Sequence, residues 1–375
     1  MADPTGDPRT EARVRRAVAR ATGRDVSRAP VRRLAGHASL RSYWRVGAFG
    51  RDWPPRAADG SPLPPQARAS QVVMVLPPGA RPEEVTQGGP PAVDPFVDVQ
   101  RFLSRVGARV PEILAFEGDD PEGGLMVLED LGDEMLETRL LAGDPAEPLY
   151  ARAIDRLAAL RAAAERLGPG EARCIAFTRA FDQDLYLWEL HHFREWLLEA
   201  WKGAALSPAE RGRLDAQFLA IARALAAEPK GFTHRDYQSR NLMVLPGGEQ
   251  AIIDFQDALL GPRQYDLVAL LRDSYVELPP DLVDRMVRRY LDRLAEAGGP
   301  RLDPAAFRAT FDLLTVQRKL KDAGRFVFID RVKGNPGFLV SIPASLRYVR
   351  EALGRRPDLA ELQELLGRHV PELAA

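Results

Sequence analysis

The chain has 375 residues, of which 45% are hydrophobic and 28% are charged, and its formal net charge is −1. This length accommodates two domains, while the near-neutral charge provides no overall basic field for nucleic acid or an anionic membrane. The single cysteine, Cys174, excludes an intrachain disulfide and a cysteine-rich metal site.

The N-terminal part of the sequence predicts one helix followed by short strands. An arginine-rich helix is expected over residues 1–30, ending at Pro30. Two short strands are expected within residues 32–49, on either side of Gly36. The run QVVMVL is the one strand that we predict in the proline-rich region that follows.

A second helix and a pair of strands complete this part. Asp94 and Pro95 supply an N-cap and a first-turn proline for a helix that extends to Val106. The runs EILAFEG and GLMVLEDLG then predict two strands around the turn DDPEGG. We therefore expect residues 1–130 to form a small antiparallel β-rich lobe.

Residues 131–375 predict mostly helices. The capping box Ser207-Pro208-Ala209-Glu210 begins one helix, and Asp303-Pro304 begins another that is expected to end near Gly324. Further helices are predicted over residues 150–167 and 279–298. The expected architecture is α+β, with a small β lobe followed by a large α lobe.

One β interruption in the helical part carries polar residues at its open end. Two apolar strands flank the turn PGGE, and with a four-residue loop Leu245 faces Gln250. Counting back along both strands places Asn241 opposite Asp254, with Cβ atoms roughly 5 Å apart. An amide oxygen and a carboxylate at that distance suit a hard cation such as Mg²⁺. Asp236 precedes the same end and can accept a proton from a hydroxyl.

The same segment contains the residue pattern of kinase-type phosphoryl transfer. It reads His234-Arg235-Asp236, then Asn241, then Asp254-Phe255. A purely structural turn does not explain why three oxygen-bearing side chains should converge. A protein kinase is excluded, because Gln256 replaces the glycine of D-F-G and a helix begins too soon for an activation loop. A small substrate fits this spacing better than a peptide.

With these motifs the sequence resembles the aminoglycoside phosphotransferase family, the small-molecule branch of the kinase-like fold. Within that family, the strings LAGHASLRSYWRV, HRDYQSRNLMV, IIDFQDALLGPRQYDLVALLRDSY and QRKLKDAG resemble the anomeric amino-sugar kinases of cell-wall recycling. The resemblance covers about residues 32–350. It implies a bilobal protein-kinase-like fold, ATP and Mg²⁺ as cofactors, and phosphorylation of the C1 hydroxyl of N-acetylmuramate or N-acetylglucosamine.

The resemblance also implies roles for individual residues. Asp236 would be the catalytic base, and Asn241 and Asp254 would be the Mg²⁺ ligands. The segment LEDLG resembles the hinge between the lobes, where backbone groups of Glu129 and Leu131 would bind adenine. The alternative for this segment is a strand end with an acidic turn.

A lysine that the family places on a strand, against the nucleotide phosphates, is missing here. The chain has five lysines, and none precedes Lys202. We expect another cation to take its place, with Arg41 and Arg45 as candidates because both lie on one face of a predicted strand. The alternative is that both arginines are solvated surface residues. Ser39 and nearby backbone amides would complete the phosphate site.

The acceptor site is predicted from a small set of charged residues. The late helix carries four cations in QRKLKDAGR, which suit an anionic substrate or else form a solvated face. An aminoglycoside pocket should instead be acidic, since its substrate is polycationic. The predicted substrate-binding residues are Arg240, Glu195, Arg318 and Lys321.

The leading hypothesis is therefore an ATP- and Mg²⁺-dependent amino-sugar kinase. The alternatives are a kinase for an aminoglycoside, choline, homoserine or another hydroxy compound, and a nucleotide-binding pseudokinase that regulates a partner. We expect a small-molecule sugar as partner, with no nucleic acid and no membrane. A cytoplasmic location is expected, because no signal-peptide core and no apolar run of ~18 residues is present.

Overall fold

The computed structural model describes residues 7–34, 41–47, 70–76, 93–118, 123–167, 171 and 173–374. The chain divides into two compact units. The first comprises Met1–Glu134 and Met243–Gln256, and the second comprises Met135–Leu242 and Asp257–Ala375. The first unit thus ends four residues after the boundary at residue 130 that the sequence suggested. It also includes the later segment Met243–Gln256.

An antiparallel sheet forms the centre of the first unit. Among the described residues it has five strands in the order β1-β2-β3-β5-β4. Apolar runs such as QVVMV and LMVL form its strands, because β-branched and other apolar side chains pack well on a pleated surface. The strands are β1 (Val31–Arg33), β2 (Ser42–Gly47), β3 (Ser70–Val75), β4 (Ile113–Glu117) and β5 (Leu125–Glu129).

Two capped helices accompany this sheet, α1 (Pro8–Thr22) and α2 (Pro95–Arg105). The Asp94 carboxylate caps α2 as the sequence predicted. The predicted end of α1 at Pro30 is wrong, because Gly23 adopts φ 69° and its amide bonds the Ala19 carbonyl, which closes the helix earlier. The buried face of α1 packs into a core with the sheet residues Trp44, Val46, Val73, Leu125 and Val127.

The second unit is mostly helical. Its capping box at Ser207 and Glu210 forms as predicted, with both reciprocal bonds present. A short antiparallel pair joins β6 (Lys230–Thr233) to β9 (Leu259–Pro262). The helices are α3 (Leu136–Leu141), α4 (Ala146–Glu165), α5 (Gln183–Phe193), α6 (Pro208–Ala226), α7 (Tyr265–Leu271), α8 (Pro280–Glu296), α9 (Pro304–Lys333), α10 (Ile342–Leu353) and α11 (Ala360–Gly367). A π-helical segment, Arg194–Trp201, continues α5.

No helix in the described part of the chain is both long enough and apolar enough to cross a membrane.

The predicted hairpin is present, but its turn is tighter than expected. Strand β7 (Leu242–Val244) pairs with β8 (Gln250–Ile252). The Leu245 amide donates to the Glu249 carbonyl, and the Gly248 amide donates to Leu245. Leu245 therefore pairs with Glu249 and not with Gln250, so the four-residue loop is wrong by one position. Gly247 and Gly248 both adopt positive φ, which permits the shorter turn. The count that set Asn241 opposite Asp254 loses its basis.

Helix α9 is longer than the sequence suggested. Gly324 does not end it, and the helix continues to Lys333, where Gly334 adopts φ 66° as its cap. Gly324 instead lies where α9 contacts α5. A Cβ added at Gly324 would lie 2.6 Å from the Phe193 Cα. The glycine is therefore required by close helix packing rather than by a turn.

Replacing Gly324 with Ala is expected to destabilise the protein by about 1–3 kcal/mol, because the methyl group forces α9 and α5 apart. Gly212→Ala is the matched control, since a Cβ at this exposed helical position meets nothing within 4 Å. That change should be neutral or stabilise by up to about 1 kcal/mol. Urea unfolding of both variants measures the difference. Equal free energies of unfolding would contradict the close contact.

Candidate active site

The loop between β6 and β7 contains the motif residues, and buried carboxylates hold its backbone. The Asp266 carboxylate accepts from the amides of His234 and Arg235, at 2.7 and 2.9 Å. Burial raises the pKa of Asp266, although its two amide bonds and nearby cations oppose that effect. Arg235 adopts φ 80°, a conformation that a side chain of this size rarely takes. The loop is thus fixed in a strained form, as expected of a functional segment.

Asp236 projects from this loop with its side chain 34% exposed. One nitrogen of Arg318 lies 3.1 Å from Asp236 Oδ1, and another donates to the Arg235 carbonyl at 2.7 Å. Burial alone would raise the Asp236 pKa, but the positive charges of Arg318, Lys321 and Arg235 outweigh it and lower that pKa to about 2. The carboxylate is therefore ionised, and can accept a proton, at every physiological pH.

Asn241 is tied to the same loop. Its Nδ2 donates to the Asp236 carbonyl at 2.8 Å. This bond uses the amide nitrogen, whereas a metal ligand must be the amide oxygen. Ser239, two residues before Asn241, is also fixed, because the Asp273 carboxylate accepts from the Ser239 amide at 2.8 Å and from its hydroxyl at 2.5 Å. The Asn241 side chain is thus held by a bond to its own loop, whose backbone is fixed at Ser239.

A buried polar network lies behind the loop. Glu189 of α5 is completely buried and lies 3.5 Å from the Arg235 guanidinium. Gln317 of α9 donates to the other Glu189 oxygen at 2.7 Å. The sequence analysis did not assign Glu189, Asp266, Asp273 or Gln317 to the site. Among these, Asp266 carried a signal in the sequence, since it is the one ionisable carboxylate in the otherwise apolar helix α7.

Asp254 lies in the first compact unit, two residues after the end of β8. Its side chain is exposed, and its φ of 62° is in the left-handed region, which aspartate tolerates better than most residues. The Gln256 amide donates to Asp254 Oδ1 at 2.9 Å. Burial and the Asp254 charge raise the pKa of Tyr43 to about 12, against the opposing effect of Arg41. The Asp254 carboxylate thus acts in the vicinity of Tyr43 and Arg41 in this unit.

The predicted adenine-binding segment follows β5. The Glu129 side chain is buried and forms an ion pair with Arg109, and its Oε2 accepts from the Glu112 amide at 3.2 Å. These bonds are made by the Glu129 side chain, and they fix the C-terminal end of β5. The Leu131 amide makes no hydrogen bond to another described residue, so it is positioned as a donor at the end of the strand.

The three residues predicted for phosphate binding have different surroundings. Arg45 is buried and is held by two carboxylates, with Asp130 Oδ2 and Asp133 Oδ2 each at 2.7 Å. Its charge is therefore matched within the unit. Arg41 is partly exposed. Ser39 lies outside the described residues.

The residues predicted for substrate binding are also in unlike positions. Arg240 bonds both oxygens of Glu137 at 2.9–3.0 Å, and its guanidinium lies 3.6 Å from the centre of the Tyr275 ring. Glu195 is exposed on the π-helical segment. Arg318 contacts Asp236, as described above. Lys321 is one helical turn further along α9, with its side chain 12% exposed.

Comparison with known proteins gives the same indication as the motif. The sequence profile described as "Phosphotransferase enzyme family" matches residues 66–305. An N-acetylmuramate/N-acetylglucosamine kinase of Pseudomonas aeruginosa is 36% identical over 274 residues, which cover 72% of this chain and 77% of the relative. A kinase with the same name from Caulobacter vibrioides is 32% identical over 351 residues, covering 90% and 91%.

Solved structures resemble the fold at much lower identity. A spectinomycin phosphotransferase has a TM-score of 0.56 at 11% identity, covering 91% of this chain and 93% of that one. The choline kinase LicA from Streptococcus pneumoniae also has a TM-score of 0.56, at 13% identity, covering 92% and 99%. At this identity the two structures indicate the fold and say nothing about the acceptor.

Proposed function

The chain belongs to the phosphotransferase enzyme family and has its kinase-like α+β fold, and on that basis we propose that it phosphorylates the C1 hydroxyl of N-acetylmuramate or N-acetylglucosamine. The main support is the Caulobacter vibrioides relative, because its similarity extends over 90% of this chain. A match of that extent covers much more of the chain than the motif alone. The family and the fold predicted from the sequence are both confirmed.

The proposed reaction transfers the γ-phosphoryl group of ATP to the sugar. The C1 oxygen attacks the γ-phosphorus, the bond from that phosphorus to the bridging oxygen of ADP breaks, and the hydroxyl proton passes to Asp236. The products are ADP and the sugar 1-phosphate. A C1 hydroxyl is more acidic than an ordinary alcohol, so it loses its proton to a carboxylate base more easily than an ordinary alcohol would.

We propose that Asn241 and Asp254 are the Mg²⁺ ligands. No cluster of three or more histidine, cysteine, aspartate or glutamate residues that could hold a metal occurs in the described ranges. The donor set nevertheless fits Mg²⁺, which takes one or two protein oxygens and completes its shell with phosphates and water. Asp254 offers an exposed carboxylate, and the side-chain amide of Asn241 would contribute its oxygen. The cation would neutralise charge on the phosphates.

We propose that the first unit binds ATP and that the second binds the sugar. The Leu131 amide and the Glu129 carbonyl would bind adenine, as the hinge resemblance implied. For the phosphates we favour Arg41, with Ser39 and backbone amides, over Arg45, whose guanidinium already bonds Asp130 and Asp133. Since ATP is the donor, we keep the cytoplasm as the proposed location.

Blocked sugars test the acceptor position. Methyl glycosides of N-acetylglucosamine and N-acetylmuramate lack the free C1 hydroxyl, so we expect no phosphorylation of them, while both free sugars should react. Coupled ADP release, with kanamycin as a third acceptor class, measures all three. Equal rates on glycosides and free sugars would place the phosphoryl group elsewhere. Reaction with kanamycin and not with free sugars would replace this proposal with an antibiotic kinase.

A further inference from the structure

The cations of α9 differ sharply in how they are used. Lys319 is buried, with its Nζ 2.6 Å from Asp322 Oδ2 and 2.9 Å from the Ser274 hydroxyl. Arg318 is buried against Asp236 and the Arg235 carbonyl. Lys321 has a weaker contact, 3.4 Å from Asp322 Oδ1, and that carboxylate is already closely bonded by Lys319. Lys321 is therefore better placed than its neighbours to bind an arriving anion.

The position of Lys321 on the helix relates it to the reaction centre. Residues three apart on an α-helix are neighbours, with Cβ atoms about 5–6 Å apart. Lys321 thus follows, one turn on, the arginine that bonds Asp236. The charge of Lys321 also acts on Asp236 itself. An acceptor whose C1 hydroxyl meets Asp236 would bring a substituent on its far side to Lys321.

Tyr275 provides a second donor near the carboxylates that Lys321 also interacts with, since the charges of Asp322 and Asp236 act on its hydroxyl. Its ring is held by the Arg240 guanidinium 3.6 Å away, and its amide donates to Asp273 Oδ1 at 3.0 Å. Its hydroxyl makes no hydrogen bond with the described part of the chain. Burial and the charges of Asp273, Asp322 and Asp236 favour its neutral form, so it stays a hydrogen-bond donor and its pKa lies well above the usual range.

We propose that Lys321 and Tyr275 together bind the carboxylate of the lactyl group of N-acetylmuramate, and so determine preference for this sugar over N-acetylglucosamine. This inference rests on the proposed function, since it assigns the acceptor contacts of that same site. One carboxylate can accept from the ammonium and the hydroxyl together, and a charge-assisted bond of this kind is strong. A sugar without the lactyl group gains nothing from either donor.

The charge at this place distinguishes a carboxylate from a polyamine. An ammonium group one helical turn from Arg318, which contacts Asp236, repels a cationic acceptor and attracts an anionic one. Lys321 also acts on the reaction centre, because its charge contributes to the lowered pKa of Asp236. A mutation at Lys321 will therefore affect every acceptor to some extent. The informative quantity is the ratio of kcat/KM for the two sugars.

Lys321→Met and Tyr275→Phe test the proposal with N-acetylmuramate and N-acetylglucosamine as substrates. For Lys321→Met we expect the ratio of kcat/KM, muramate over glucosamine, to fall about 10- to 100-fold. Tyr275→Phe should lower it by a smaller factor, because a neutral donor is lost. Lys333→Met, an exposed lysine at the end of α9, is the control and should leave the ratio unchanged.

The substrate can be altered as well as the protein. The methyl ester of the N-acetylmuramate carboxylate should lose reactivity with the wild type, and Lys321→Met should then cause no further selective loss. Because the ester is tested with the wild-type protein, this experiment remains informative if a variant fails to fold. Equal losses on both sugars, or an ester as reactive as the acid, would overturn the proposal. If the wild type phosphorylates neither sugar, the proposed function itself fails, and this inference falls with it.

Discussion

Replacing Asp236 with Asn is expected to lower kcat by about 10²–10⁴-fold, the usual contribution of a general base. The amide keeps the shape of the carboxylate, and its oxygen can still accept from Arg318, so the loop 234–241 should remain in place. ATP affinity should therefore stay close to that of the wild type. Steady-state kinetics on the free sugar, with isothermal titration of ATP in the presence of Mg²⁺, separates the two effects.

Asp184→Asn serves as the control, because Asp184 is an exposed aspartate on α5. It should leave kcat unchanged. An Asp236→Asn enzyme within about threefold of the wild type would remove this residue from the mechanism. A joint loss of turnover and ATP binding, with an unchanged melting temperature, would instead assign Asp236 to nucleotide binding.

The candidate motif could be proposed from the sequence because its members lie close together in the chain. Asp236 and Asn241 belong to one loop, and Asp254 comes at the end of the next hairpin, so their spacing is visible without a structure. The bracing residues are different. Arg318 lies 82 residues from Asp236 in the sequence, and Asp273 lies 34 from Ser239. No periodicity shows which charged residue of a distant helix faces the loop, since tertiary packing decides it.

The glycines marked special backbone positions in the sequence, but the sequence did not show which structure each glycine serves. The Gly247-Gly248 pair indicated a turn, yet two adjacent glycines permit more than one loop length, and one residue of difference changes the register. Gly324 suggested the end of a helix, whereas it lies where α9 contacts α5. A glycine is required both at a helix cap and at a close approach, and only the three-dimensional contacts distinguish the two.

The role of the arginines was the hardest feature to predict. The alternation of RSYWR suggested that Arg45 faces the nucleotide phosphates. In the fold it is buried against Asp130 and Asp133, which follow β5 directly. An arginine-rich sequence gives each guanidinium many possible partners, and strand pairing between distant segments selects among them. A strand pattern predicts which face a side chain is on, but not what it meets there.

Arg318 provides the second large expected effect, because it acts through Asp236. It bonds the Asp236 carboxylate and the preceding carbonyl, and among the charges that lower the pKa of Asp236 it is the largest. We propose that it positions the base and keeps it ionised, in place of the substrate contact that the sequence suggested. Arg318→Met should lower kcat by about 10²-fold, since a displaced base no longer meets the hydroxyl.

The pH profile distinguishes this role from a purely structural one. In the wild type the Asp236 pKa is about 2, below its ordinary value of 3.8, so its contribution to activity and stability is complete above about pH 4 and is lost as the pH falls towards 2. In Arg318→Met the effect of burial remains while the strongest opposing charge is gone. The acid limb of kcat/KM should therefore move up from about 2 towards 3.8 or beyond.

Arg318→Lys is the decisive companion variant, because it keeps the charge and loses the two-pronged geometry. We expect its acid limb to stay near that of the wild type while kcat falls. Arg325→Met removes a cation from the same helix, two turns further on, and should change neither quantity. If Arg318→Met loses activity with an unmoved acid limb, Arg318 serves only the fold of the loop. If both Arg318 variants move the limb equally, the bond geometry and not the charge holds the pKa of Asp236 low.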